Sequence, residues 1–283
     1  MNFLIKTLTL YIILSILILV YKELPFSKIN LRKKFPYLLV IVFMLSFLPF
    51  YFYYVAFLDC NLKCLILGPL PLNKKIFFIP LISFTLFFIL FTKNLIKELK
   101  YKKLPLILYG KNKEGISVNG IFKPFIFIDI SLWKSLSKKE RKIILLHEIN
   151  HIRQKDTFIK LITNLLSKTF FYFPHFFLLR KSFEEIAELA SDEYTLIKTS
   201  EKENIVKTIA KLSLILNSNL NFSFTSSPIL KRIDSLRTNR KSKTKFFLFT
   251  LFLSALFITL ISFIPLKENC GIDCQNLKIL CHL

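Results

Sequence analysis

The stretch Leu145-Leu146-His147-Glu148-Ile149-Asn150-His151-Ile152 gives the chain its clearest chemical signature, the pattern H-E-x-x-H. Positions i and i+4 of a helix share one face, so His147 and His151 can present two imidazoles to one metal ion. Glu148 lies beside them, where it can take a proton from a metal-bound water. The alternative interpretation is a buried helix whose two histidines share a face by chance.

The flanking residues favour a helix from about residue 138 to residue 155. Ser137 and Glu140 have the spacing of a capping box, which marks a helix start. Apolar residues then recur on one face of the predicted helix, at Ile143, Leu146, Ile149 and Ile152.

A catalytic zinc site needs a third protein ligand and one position open to water. The acidic run 183–193 supplies candidates, because Glu188 and Asp192 are four residues apart and share a helix face. Glu188 is the candidate third ligand for a single catalytic Zn²⁺. Asp192 is the candidate acceptor for the second ring N–H of His147 or His151, which would fix the tautomer of that ligand. A solvated acidic helix face is the alternative.

The composition indicates an integral membrane protein, since 53% of the residues are hydrophobic and 32 are Phe. Four nearly uncharged stretches, 3–21, 37–58, 76–92 and 246–265, are close to the roughly 20 residues that a helix needs to cross a bilayer. The first stretch is followed by a basic flank, and it lacks the small-residue cleavage site of a signal peptide. We therefore expect a retained span and not a signal peptide. Buried helices of a soluble protein are the alternative, but a chain of this size would then have too little polar surface to cover four such helices.

Lysine and arginine predict the orientation of these spans, because they accumulate in cytoplasmic segments. The loop 22–36 carries five of them, and the segment 93–245 carries 30 against 14 acidic residues. We therefore expect both termini outside, a three-span region over 1–92, a cytoplasmic metallopeptidase domain over 93–245, a fourth span over 246–265 and an extracytoplasmic tail over 266–283. The net charge of +23 is expected to attract anionic lipid, and no direct nucleic-acid binding is expected.

Inside the segment 93–245, short apolar runs at 104–109, 115–118 and 125–130 are separated by glycine and proline and predict a small β-sheet. The other apolar runs of the segment 93–245 predict helices. The expected fold class is thus a mainly α integral membrane protein with four transmembrane helices and an α+β domain between spans three and four. The apolar run 169–179 is too short to span, so it should lie in the interface or pack against the spans.

All five cysteines fall on the side of the membrane predicted to be oxidising. They are Cys60, Cys64, Cys270, Cys274 and Cys281. Cysteines confined to that side predict disulfides, and an odd count leaves one thiol over. We expect a bridge between the tail and the loop after span two. Local bridges within each pair, or metal binding by the C-x-x-x-C pairs, are alternatives.

Four pieces of the sequence, in this order, resemble the BlaR/MecR family of membrane zinc metallopeptidases. The segment 120–126 resembles its G-hydrophobic-x-basic-P strand, and 147–156 resembles its H-E-x-x-H-I-x-x-K-D motif. The segments 170–174 and 188–193 resemble its F-F-H-P turn and its E-L-A-C-D-E run. Phe173 stands where the family often has His, and His175 follows Pro174, so the family's role for that His does not transfer directly.

The resemblance implies a multi-pass zinc endopeptidase of the bacterial inner membrane that cleaves a cytoplasmic protein, such as a transcriptional repressor, in response to an outside signal. The sensor-bearing members continue into a penicillin-binding domain, whereas 18 residues follow residue 265 here, so we expect no such domain and a separate sensor partner. Tyr194 and His175 are candidate oxyanion donors. A housekeeping membrane protease and a non-enzymatic signalling or scaffold protein are the rival hypotheses.

Overall fold

The computed structural model describes residues 2–24, 26–58, 78–99, 105–110, 115–218, 227–237, 253 and 256. The predicted tail and all five cysteines lie outside these residues. So does the predicted fourth span over 246–265, except for Leu253 and Leu256. The fourth span and the disulfides therefore stay predictions.

Three long apolar helices come first in the chain: α1 (Asn2–Lys22), α2 (Lys28–Leu58) and α3 (Phe78–Leu99). Within the described residues, each is long and apolar enough to cross a membrane. The structure thus has a long apolar helix at each of the first three predicted spans, and these helices are candidate spans by length and composition. One boundary differs, because α2 begins at Lys28 and its first turns contain most of the basic segment that was expected to be a loop. That helical extension carries Arg32, which is buried.

A small sheet follows, with strands β1 (Ile107–Gly110), β2 (Ile116–Asn119) and β3 (Phe125–Asp129). The strand order is β1-β3-β2, with β1 parallel and β2 antiparallel to the central β3. Gly120 allows the turn between β2 and β3, because its φ is +88° and a Cβ there would lie 2.6 Å from the Lys123 carbonyl oxygen. The predicted sheet is confirmed, and β2 is one of its edges.

The remaining described elements are helices: α4 (Ile130–Ser135), α5 (Lys138–Arg153), α6 (Asp156–Thr169), α7 (Pro174–Thr199), α8 (Lys202–Ser218) and α9 (Ser227–Arg237). Helix α5 contains H-E-x-x-H and starts at the predicted capping box, in which the Ser137 hydroxyl accepts from the Glu140 backbone and the Glu140 carboxylate accepts from the Ser137 backbone. Helix α7 is central and packs against α1, α2, α5 and α6.

Helices α6 and α7 form a hairpin whose tip packs among the apolar helices. Phe170, at the tip, is fully buried, and its ring lies 5.2 Å from those of Phe47 on α2 and Phe84 on α3. Tyr172 donates a hydrogen bond of 3.1 Å to the Ser83 hydroxyl of α3. The run 169–179 thus packs against the spans, which was one of its two predicted placements.

Candidate metal centre

Helices α5 and α7 bring together the three predicted ligands, His147, His151 and Glu188. The two Nε2 atoms are 3.1 Å apart. The Glu188 carboxylate oxygens lie 3.4 Å from Nε2 of His147 and 3.6 Å from Nε2 of His151. The two histidines meet because four residues separate them on α5, and α7 crosses that face with Glu188 directed at both rings.

These distances test whether the residues fit a zinc ion. Zinc bonds to nitrogen and oxygen ligands are about 2.0–2.1 Å long, so two ligand atoms of a tetrahedral site are about 3.3–3.4 Å apart. The three observed separations lie around that value. Two imidazoles and one carboxylate are also a donor set that zinc prefers at catalytic sites. The residues therefore fit a catalytic zinc ion.

Each histidine is oriented by an aspartate at its other nitrogen. Nδ1 of His147 lies 3.0 Å from Oδ1 of Asp192, and Nδ1 of His151 lies 2.7 Å from Oδ2 of Asp156. A carboxylate at Nδ1 holds the ring in one orientation and leaves Nε2 free to bind a metal. Asp192 takes the predicted position, whereas Asp156 was missed as a partner even though it belongs to the quoted motif.

Each aspartate in turn faces an arginine from a distant part of the chain. Arg232 of α9 donates from Nε and Nη2 to the two oxygens of Asp192, both at 2.8 Å, and its Nη1 lies 3.1 Å from Glu188. Arg32 of α2 pairs with Asp156. Sequence reasoning missed both arginines, because no local pattern links them to the motif.

The protonation states follow from these contacts. Burial disfavours the charged ring of His147, but hydrogen bonds to Asp192 and Glu188 and the charges of both carboxylates outweigh that effect and raise its pKa to about 10. Burial alone would raise the pKa of Glu188, but the hydrogen bond and charge of His147, with the charges of Arg232 and His151, lower it. Both pKa shifts apply to the protein without a bound metal ion.

Glu148 lies in the same cleft, which has a volume of about 370 Å³. Burial raises the pKa of Glu148, and the nearby charges of His147 and His151 oppose the increase. A carboxylate with a raised pKa is suited to carry a proton near neutral pH. The edge strand β2 forms one wall of this cleft through Ile116, Ser117 and Val118.

Neither candidate oxyanion donor lines the cleft. His175 is fully buried at the hairpin tip, where its Nε2 lies 2.6 Å from the Ser46 hydroxyl oxygen and its ring stacks on Phe173. The Tyr194 hydroxyl accepts a hydrogen bond of 2.7 Å from Arg153. The structure therefore places neither residue at the metal centre. Helix α7 begins at Pro174, which places His175 beside the apolar helices, and Tyr194 lies on another face of α7 from Glu188.

The fold and site define a membrane metallopeptidase class, with an H-E-x-x-H helix, a carboxylate from a second helix and apolar helices packed against both. The family model described as BlaR1 peptidase M56 matches residues 91–236, more than half of the chain. The protein is a member of the M56 peptidase family, as the resemblance predicted. No curated protein matches the chain.

Proposed function

We propose that this protein is a zinc endopeptidase of the bacterial inner membrane that cleaves a regulatory protein, such as a transcriptional repressor, at the cytoplasmic face. The triangle formed by His147, His151 and Glu188 carries the proposal, because its dimensions fit a catalytic zinc ion. The orientation is supported by the five lysines and arginines of the short segment 22–36.

The chemistry follows from the residues around that triangle. A bound zinc ion would lower the pKa of a coordinated water and polarise the scissile carbonyl. Glu148 accepts the proton of the attacking water and delivers it to the leaving amine, as its raised pKa favours. Asp192 and Asp156 hold the two imidazoles in one tautomer while the reaction proceeds.

The cleft also suits an extended peptide. Strand β2 pairs with β3 on one side only within the described sheet, and its residues line the cleft beside Glu148. An edge strand can bind a peptide by main-chain hydrogen bonds, which require no particular substrate sequence. A polypeptide substrate laid along β2 would pass its scissile bond over the metal centre.

The experiment uses the purified full-length protein in lipid nanodiscs, with β-casein as a general probe and any helix-turn-helix repressor encoded beside the gene as a specific one. We expect one zinc per chain and cleavage of the repressor. Glu148→Gln should keep the zinc and reduce kcat about 10²–10⁴-fold, because only the proton carrier changes. Glu203→Gln, an exposed change on α8, is the control.

A wild-type protein without zinc, or a Glu148→Gln variant as active as wild type, would overturn the proposal. Cleavage of casein but not of the repressor would instead support the housekeeping alternative, and the regulatory substrate would be withdrawn.

A further inference from the structure

A transmembrane helix contacts the metal centre through Arg32. This residue lies in the basic first turns of α2, within the candidate span Lys28–Tyr51, and is only 1% exposed. Its guanidinium pairs with one carboxylate oxygen of Asp156, and the other oxygen of Asp156 lies 2.7 Å from Nδ1 of His151. One continuous set of contacts therefore joins a spanning helix to a metal ligand.

The same guanidinium also fixes the end of the motif helix. Nη2 of Arg32 donates a hydrogen bond of 2.9 Å to the carbonyl oxygen of Gln154, the C-cap residue of α5. Asp156, which begins α6, is 6% exposed. Arg32 thus binds both sides of the bend between α5 and α6, immediately after His151.

The surroundings hold Arg32 firmly. Its guanidinium lies 4.7 Å from the ring centroid of Phe183 on α7, and that ring contacts Phe35 of α2 at 5.1 Å. The Tyr21 hydroxyl of α1 donates to the Leu31 carbonyl oxygen at 2.8 Å. A buried cation in an apolar helix is costly unless it is paired, and such residues usually mark functional sites.

A carboxylate shared by a histidine and an arginine has little freedom to rotate. With Arg32 in place, Asp156 presents Oδ2 to His151 while Oδ1 is neutralised. Without Arg32, Asp156 would be a buried carboxylate with one oxygen unpaired and free to turn. His151 would then lose the partner that directs its Nε2 to the metal.

We propose that Arg32 is a positioning residue of the metal centre, so that the second spanning helix completes the zinc site. This inference rests on the proposed function, because it takes His151 to be a zinc ligand. It follows that the placement of α2 sets metal affinity. Farther along the same helix, Phe43 and Phe47 contact the hairpin tip, so α2 touches the peptidase fold at two separate levels.

The test compares Arg32→Met, Arg32→Lys, Asp156→Asn and the double variant Arg32→Met/Asp156→Asn in nanodiscs. Lys33→Met is the matched control, since it removes a positive charge from the adjacent, exposed position of the same helix. Three quantities are measured: zinc affinity by chelator competition, the visible spectrum of the Co²⁺-substituted protein, and the thermal midpoint of the metal-free protein.

We expect Arg32→Met to weaken zinc binding about 10–100-fold and to change the Co²⁺ spectrum, with Lys33→Met unchanged. Arg32→Lys should restore part of the affinity, because an ammonium keeps the charge but lacks the planar donor pair. The double variant should bind zinc no more weakly than Asp156→Asn alone, since Arg32 acts through Asp156.

Arg32→Met and Arg32→Lys variants that bind zinc like Lys33→Met would overturn the inference, even if their thermal midpoint fell, because that result shows a purely structural residue. If Arg32→Met does not fold, Arg32→Lys decides. A wild-type protein that binds zinc in this series, and cleaves the substrate in the experiment on the proposed function, leaves the proposed function standing. A wild-type protein that binds no zinc refutes the proposed function and this inference with it.

Discussion

Nδ1 of His147 lies 3.0 Å from Oδ1 of Asp192, while both oxygens of that carboxylate accept hydrogen bonds from Arg232. The aspartate is almost completely buried, with 1% of its surface exposed. A buried charge held in this way keeps the imidazole it faces in one orientation.

Replacing Asp192 by Asn should therefore weaken zinc binding about 10–100-fold, because the amide lacks the charge that supports the ring and that pairs with Arg232. Zinc affinity is measured by competition with a chelator of known affinity. Glu203→Gln serves as the control for a lost surface carboxylate. Equal affinities for the wild type and Asp192→Asn would show that Asp192 does not support the ligand.

Zinc binding should release a proton from His147. Its pKa of about 10 without metal means that the ring is an imidazolium at pH 7, and it must lose that proton before Nε2 can bind a metal. Apparent affinity should rise with pH until about 10. Calorimetric heats in buffers of different ionisation enthalpy measure the release, and heats independent of the buffer would refute this prediction.

The same raised pKa gives the metal-free protein a pH-dependent stability. The folded pKa of about 10 exceeds the ordinary value of 6.5, so the stabilising contribution of the imidazolium is complete below pH 6.5 and is lost as the pH rises through 10. The thermal midpoint of the metal-free protein should decrease over this range. His147→Gln, which cannot titrate, should remove that part of the decrease.

Changing His175 to Phe should leave kcat/KM unchanged, because the residue lies at the hairpin tip among Tyr11, Phe173 and Phe176 and not in the cleft. Cleavage of the same substrate by both proteins measures the effect. The comparison variant is His151→Phe, which should lose zinc and activity. A large loss of kcat in His175→Phe with normal zinc binding would restore His175 as a candidate catalytic group.

The topology can be tested with a reporter enzyme that is active only outside the cytoplasm. Fusions after Asn61 and Lys267 should be active, and fusions after Lys113 and Ser218 should be inactive, because lysine and arginine concentrate in the segments expected inside. Expression of every fusion is verified by immunoblot. Activity of the Ser218 fusion would place the metal centre on the outer side.

The features that sequence predicts best here are local. The capping box at Ser137 and Glu140 and the shared face of His147 and His151 depend on spacings of three and four residues, and the structure reproduces both. The approach of Glu188 was also expected, from the four-residue spacing to Asp192 and the helix that contains both. The distance between α5 and α7 where they cross is set by tertiary packing, which the residue spacing does not reveal.

The arginines at the metal centre could not be predicted in this way. Arg32 and Asp156 are 124 positions apart, and Arg232 and Asp192 are 40 apart, so no helical or strand period relates them. The placement of His175 could not be predicted for a related reason. An aromatic-rich turn with a histidine gives no sign of which side of the fold it will face until the hairpin packs against α2.

The long separation between Arg232 and the motif helix has a consequence for biosynthesis. A ribosome makes the chain from its N-terminus, so α5 and α7 are synthesised before Arg232, which pairs with Asp192 and Glu188 in the folded protein. Until then the two carboxylates lack their cation. Any activity that depends on the pairing of Asp192 with Arg232 therefore requires that translation has passed residue 232.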